Sequence, residues 1–363
     1  MKWLIVLAFS GGLASCDGAE SPTPDAALPG LADAEVDAAL PDAALPDAAP
    51  LDAAPPSGPL DDVLRLNHIQ ARGTHNSYHQ LPDPVLHPSH RYQQAPLDVQ
   101  LGAQGVRQLE LDVHARSDGG FDVLHLPLID PETSCLALED CLRTLVGWSD
   151  AHPGHLPVLI WFEPKDEGVG GPAGYVRSID RMGALEAAVA AVVPVRRIFT
   201  PDLLRRGHRT LPESLAAEGW PTLGEVRGRF IFALLDRGAH RAAYLAEPAG
   251  PAGHLIFVTT DGPEDPNAAI FKLDNPGSPE AVARVAEGFL VTSNVDSAED
   301  TPEANAARRA LALANGVHFL SSDFPAPSSP EDANWLAIPG GTPARCNPVT
   351  APAVCDAAAL EPQ

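Results

Sequence analysis

Gln108-Leu109-Glu110-Leu111-Asp112-Val113-His114 alternates polar and apolar side chains without a break. Alternation with period two marks a strand, so Glu110 and Asp112 fall on one face and Leu109 and Leu111 on the other. Three further segments end with polar residues in the same way. Gly73-Thr74-His75-Asn76-Ser77-Tyr78 closes an earlier strand, and Val123-Leu124-His125 and Ile160-Trp161-Phe162-Glu163-Pro164-Lys165 close two later ones. Chemistry gathered at successive strand ends is the pattern of a parallel barrel, whose catalytic groups stand at the carboxyl ends of its strands.

The strand pattern extends outward from there. Strands are predicted at 68–74, 106–112, 121–125, 157–163, 229–236, 255–260, 289–293 and 317–322, with amphipathic helices at 179–193, 279–287 and 302–315. Eight strands alternating with helices predict an α/β fold of the TIM-like (β/α)8 type. The link between the second and third strands is only the turn Ser117-Asp118-Gly119-Gly120, too short for a crossover helix. The barrel is therefore irregular there, or those two strands pair antiparallel. A doubly wound open sheet is the alternative architecture.

At the strand ends, Asn76, Glu110, Asp112 and Glu163 offer an all-oxygen set suited to a hard cation, calcium in preference to magnesium. His75 and His125 beside such an ion suit acid–base work on a phosphodiester. Lys165 is expected on the same side of its strand as Glu163, as a catalytic cation or as a counter-charge to the carboxylates. His79, His87, His90, His114, His152 and His155 are read as solvated loop residues.

Thr74-His75-Asn76-Ser77-Tyr78, Glu110-Leu111-Asp112, His125 and Glu163-Pro164-Lys165 together resemble the bacterial calcium-dependent phosphatidylinositol-specific phospholipase C family. The resemblance spans most of residues 63–325, including Pro221-Thr222-Leu223-Gly224-Glu225 and Ser322-Asp323-Phe324-Pro325. It implies a TIM-like barrel that cleaves the glycerol–phosphate bond of phosphatidylinositol-type lipids to diacylglycerol and a cyclic or acyclic inositol phosphate. It also implies a catalytic pair His75 and His125, and calcium ligands Asn76, Glu110, Asp112 and Glu163. Members commonly carry Arg-Thr-Arg-Ala-Asp near the seventh strand, whereas this chain reads Val291-Thr292-Ser293-Asn294-Val295-Asp296, which points to a different or unphosphorylated headgroup. The rivals are a glycerophosphodiester phosphodiesterase or sphingomyelinase-D-like enzyme, disfavoured because Asn-Ser follows His75 where those carry Arg-Gly, and a degenerate lipid- or glycan-binding lipoprotein.

The chain begins Met1-Lys2, then an apolar run to Phe9, then Leu13-Ala14-Ser15-Cys16. That is a signal peptide (1–15) ending in a sequence that resembles the bacterial lipobox, with Cys16 as the lipidated residue. Residues 16–58 repeat Pro-Asp-Ala-Ala-Leu without an aromatic or a basic residue, and are expected to be a disordered tether. The barrel follows at 59–330 and a C-terminal extension at 331–363. The expected location is the bacterial envelope, on its periplasmic or surface face, as a lipid-anchored monomer at a phospholipid surface. The 48 acidic against 24 basic residues argue against a nucleic-acid partner. Besides Cys16, the cysteines pair locally as Cys135–Cys141 and Cys346–Cys355. Spacings and absent interleaved histidines disfavour zinc there.

Overall fold

The computed structural model describes residues 58–340 and 343–361; the signal segment, Cys16 and the tether lie outside the described residues. Ten strands form one sheet: β1 (Ile69–Thr74), β2 (Val106–Ala115), β3 (Phe121–Val123), β4 (Val158–Lys165), β5 (Phe230–Leu234), β6 (Ile256–Val258), β7 (Ile270–Lys272), β8 (Leu290–Asn294), β9 (Phe319–Ser322) and β10 (Ala344–Cys346). Eight of them run parallel in the order β6-β5-β4-β2-β1-β9-β8-β7, a barrel closed by hydrogen bonds everywhere except between β6 and β7. The TIM-like expectation is met, and the open sheet is excluded.

The strand predicted at 121–125 is not a barrel stave. β3 pairs antiparallel with the far end of β2, in register Val113 with Val123, as the four-residue turn requires. The missing stave is β7, a three-residue strand between Ala268 and Leu273. β10 adds antiparallel to β1, and Glu361 forms an ion pair with the buried Arg107. The segment beyond residue 343 is thus packed into the barrel.

Alternation sorts the core. Ile69, Ala71, Leu159, Trp161, Ile231, Ala233, Phe257, Ile270, Leu290 and Phe319 fill the barrel. Their neighbours Leu109, Leu111, Val113, Ile160, Phe162 and Phe232 face outward, beneath helices α2 (Leu138–Ala151) and α3 (Met182–Val192). The inward face of each strand, followed toward its carboxyl end, runs out of apolar residues and becomes Glu110, Asp112, Glu163, Lys272 and Asn294. Gly73 belongs to this construction, since a Cβ there would stand 2.2 Å from the Gln108 side chain. Both predicted disulfides are formed, Cys135–Cys141 and Cys346–Cys355. Among the described residues no helix is long and apolar enough to cross a membrane.

Candidate active site

β1 ends at Thr74 and the chain turns sharply, with Asn76 at φ 41°, a left-handed conformation that asparagine tolerates better than most residues. The turn is tied to β2 in both directions. Ser77 N–H donates to the Glu110 carbonyl at 2.9 Å, and Glu110 N–H donates to Ser77 Oγ at 2.8 Å. Asn76 is therefore fixed relative to the two acidic residues of β2.

Glu110, Asp112 and Glu163 bring carboxylate oxygens within 4.8 Å of one another, because Asp112 and Glu163 are partners in the β2–β4 register. Two ammonium groups stand among them. Lys165 Nζ lies 2.7 Å from Glu163 Oε1 and 3.2 Å from Asp112 Oδ2, and Lys272 Nζ contacts Glu110 Oε2. These cations do not exhaust the oxygens: Asn76 Oδ1 and Asp112 Oδ1 are buried and receive no hydrogen bond, and Asp112 Oδ2 meets only Lys165. Burial pushes the Asp112 carboxyl up; Lys165 pulls it down, but repulsion from Glu163 and Glu110 adds to the rise, and the carboxyl is held well above its ordinary range. Burial also opposes ionisation of Glu110, but Lys272 and His75 outweigh it and hold that carboxyl below its ordinary range. Unsatisfied buried oxygens and mutually repelling carboxylates are what a bound hard cation would satisfy, so Asn76, Glu110, Asp112 and Glu163 fit calcium.

His75 stands beside this cluster. Its Nδ1 lies 2.8 Å from Asp323 Oδ1 and its Nε2 3.9 Å from Glu110 Oε1. Burial alone would disfavour the imidazolium, but Asp323 and Glu110 reverse that and raise His75 to about 9. Asp323, immediately after β9, is itself anchored: its N–H donates to Asp296 Oδ1 at 2.7 Å, and its Oδ2 accepts from Ala298 N–H at 2.9 Å.

His125 is held by another carboxylate. After β3 the chain doubles back so that Leu126 and Asp130 exchange backbone hydrogen bonds, which sets Asp130 Oδ2 2.7 Å from His125 Nδ1. Both oxygens of Asp130 lie 3.0 Å from His79 Nε2. Burial resists ionisation of Asp130, yet the His125 and His79 hydrogen bonds hold its carboxyl down at about 2. His79 stacks on Tyr92 at 4.3 Å, and the Tyr92 hydroxyl is 3.4 Å from His75 Nδ1. His75 and His125 are thus joined through Tyr92, His79 and Asp130. The loop is docked by Ser134 N–H donating to the Tyr78 carbonyl at 2.8 Å and ends at the Cys135–Cys141 bridge to α2.

A pocket of about 560 Å³ opens on these groups. It is lined by His75, Glu110, Glu163 and Lys272, and by Arg237, Asp274, Asn275, Glu280 and Asn294.

Sequence reasoning missed Lys272, Asp323 and Asp130. Lys272 ends a strand too short to display alternation. Asp323 lay inside the Ser322-Asp323-Phe324-Pro325 match without a role attached. Asp130 meets His125 through a loop reversal that has no period. The reading of six histidines as solvated is corrected for four. His79, His90, His114 and His155 are all buried. His79 bonds Asp130, His114 Nε2 approaches the Leu124 and His125 carbonyls at 3.1 and 3.2 Å, and His155 Nε2 pairs with Ser149 Oγ at 2.8 Å.

Several solved structures share the fold. A calcium-dependent phosphoinositol-specific phospholipase C from the Gram-negative bacterium Pseudomonas sp. is 20% identical with a TM-score of 0.53, the match covering 77% of this chain and 96% of that one. A structure of the same enzyme described as a myoinositol complex matches equally well. A Ca2+-dependent phosphatidylinositol-specific phospholipase C from Streptomyces antibioticus is 20% identical with a TM-score of 0.54, over 72% of this chain and 96% of that one. No curated protein is similar enough to match. The family model for Ca2+-dependent phosphoinositide phospholipase C matches residues 64–122 and 117–348, nearly the whole described body. The chain belongs to that family, the Ca2+-dependent phosphoinositide phospholipases C, and is a calcium-dependent phosphodiesterase of the phospholipase C type.

Proposed function

We propose that this enzyme cleaves the glycerol–phosphate bond of phosphatidylinositol, releasing diacylglycerol and a cyclic inositol phosphate. The observation that carries this reading is the pair of separately buttressed imidazoles, His75 on Asp323 and His125 on Asp130, beside one oxygen cluster. Calcium bound by Asn76, Glu110, Asp112 and Glu163 would supply positive charge against the phosphoryl oxygens. His75, favoured in its protonated form by Asp323, stabilises the charge that develops on phosphorus as the neighbouring inositol hydroxyl attacks. The proton of that hydroxyl passes to a carboxylate of the cluster, of which Glu163, about a third exposed at 32%, is the most accessible. His125 donates its Nε2 proton to the departing diacylglycerol oxygen, with Asp130 stabilising the charged ring beforehand. Lys165 keeps Asp112 and Glu163 from repelling each other.

The pocket wall favours a headgroup without ring phosphates. It presents Glu163, Asp274 and Glu280, while the Arg237 guanidinium is engaged with the Lys272 carbonyl at 2.7 Å. Phosphorus NMR of the reaction with phosphatidylinositol tests the proposal. The expected first product is a five-membered cyclic phosphate, formed only with calcium; an acyclic monoester from the earliest times would overturn the internal attack. Phosphatidylinositol is expected to turn over faster than its ring-phosphorylated forms.

We further propose that Cys16 carries the lipid that anchors the mature enzyme in the bacterial envelope, with residues 16–58 as its tether. Supporting this is the order of segments: apolar run, Leu13-Ala14-Ser15-Cys16, then proline-rich acidic repeats. Several acyl chains on one residue suffice for stable attachment. Changing Cys16 to Ser is expected to leave unprocessed or soluble protein; processed protein in the membrane fraction would refute the anchor.

A further inference from the structure

Beyond the oxygen cluster lies a group of different chemistry. His90, His125 and Asp130 bring ligand atoms within 4.8 Å of one another. His90 Nδ1 lies 3.6 Å and His125 Nδ1 2.7 Å from the same atom, Asp130 Oδ2. Donor atoms around a tetrahedral zinc stand roughly 3.3 Å apart, between those two distances. Two features set this group apart from an ordinary hydrogen-bonded triad. The His90 side chain is buried, at 5% exposure, and its Nδ1 faces Asp130 without any hydrogen-bond partner, an expensive arrangement for a polar nitrogen. His79 Nε2 lies 3.0 Å from both oxygens of Asp130, which orients the carboxylate in the way outer partners orient metal ligands. Solvent reaches the group through His125, whose side chain is 23% exposed, and past the exposed His87, whose ring is 5.7 Å from that of His90.

We propose that His90, His125 and Asp130 form a second metal site, for a borderline ion such as zinc rather than for calcium, and that its occupancy switches the enzyme off. Two imidazoles and a carboxylate are a zinc-type set, with water as the fourth ligand; calcium prefers more oxygens. Zinc takes the place of the Nδ1 proton that links His125 to Asp130, and that proton leaves to solvent. The ring is then fixed to the ion and the carboxylate no longer serves it, so the imidazole cannot cycle a proton to the leaving group. The inhibitory part rests on the role proposed above for His125; the binding part does not.

The test uses the full chain, stripped with chelator and then saturated with calcium to fill the oxygen cluster. Zinc chloride is titrated calorimetrically, and activity is followed in parallel. One zinc per chain is expected, with activity falling as the site fills and returning on addition of a zinc-selective chelator. His90→Phe keeps an aromatic ring and removes the ligand; it is expected to weaken zinc binding roughly 100-fold or more while leaving basal activity and calcium response unchanged. His90→Gln serves if the Phe variant does not fold. Cobalt in place of zinc should show the visible absorption of a four-coordinate ion in the native protein and lose it in the variants. Failure of the calcium-saturated enzyme to bind zinc, or equal binding by native and His90 variants, overturns the site. Zinc binding that requires His90 but leaves activity intact overturns the inhibition and the role of His125, while the metal site stands.

Discussion

Glu110, Asp112 and Glu163 sit on β2 and β4, paired over seven residues from Gln108–Leu159 to His114–Lys165, whereas His125 sits on a loop closed by Asp130 and the Cys135–Cys141 bridge. Ladder hydrogen bonds and core packing on both sides hold the first group, so its geometry is as rigid as the barrel. The second depends on a few specific partners. On the proposed mechanism the contrast separates charge from proton transfer: the part that tolerates concentrated negative charge is on the stiffest scaffold, and the part proposed to move a proton is positioned by one carboxylate.

The hardest blow to the strand-borne half is Asp112→Asn. Activity is expected to fall on the order of 10³-fold, as when a preorganised electrostatic partner is lost. Calcium should no longer raise the melting temperature, while the metal-free protein melts no lower than native, because a buried repulsive carboxylate has gone. A calcium-induced shift of native size in this variant would remove Asp112 from the ligand set.

His125→Ala is expected to lower kcat about 10²- to 10⁴-fold and leave calcium binding intact, which calorimetry reads directly. Loss of calcium affinity would mean that the two halves are not separable.

Asp130→Asn probes the single partner on which the loop depends. A reduction in kcat of roughly 10- to 100-fold is expected, with a stability loss of about 1–3 kcal/mol from buried donors left without a charged acceptor. The acid dependence has a definite sign. The Asp130 carboxyl is held at about 2 against an ordinary 3.8, so its contribution is complete above about pH 4 and disappears as pH falls toward 2. Melting temperatures of native and variant protein should converge across that window; parallel curves would rule out the charge on Asp130 as the source.

The smallest effect separates the two disulfides. Cys135→Ser with Cys141→Ser, and Cys346→Ser with Cys355→Ser, each remove a short closed loop and cost about 2–3 kcal/mol at most. Only the first pair is expected to reduce kcat, because it frames the His125 loop; the second lies beside β10 and should affect stability alone. Equal kinetic effects would show that the loop does not depend on its bridge.

Strands could be read wherever the pattern ran long enough. β2 alternates over seven residues and β4 is an apolar run, Val158 to Phe162, that ends in Glu163 and Lys165, so the sequence located Glu110, Asp112 and Glu163 together with the faces they share. His75 and Asn76 stood out because they follow a strand directly. β7 escaped because Ile270-Phe271-Lys272 offers one and a half periods, and with it went Lys272, the counter-charge to Glu110. β3 counts among the eight predicted strands without being a stave, because local pattern does not say which edge a strand joins; the short turn after Arg116 forbids a parallel crossover, and the antiparallel pairing it leaves open is the one formed.

Local chemistry alone therefore determined most of the parallel strands, the oxygen-rich cluster and both disulfides, since strand pattern, turn length and cysteine spacing act over a few residues; closure into a barrel rather than an open sheet came from the tertiary structure. Tertiary structure alone decided which carboxylate serves which histidine. Asp323 reaches His75 across 248 residues and Asp130 reaches His125 by a loop reversal, and neither follows a periodic rule. It also decided that His79 and His90 are buried. Burial belongs to the packing of the loops that follow β1 and β3 against each other, and no window of sequence contains both.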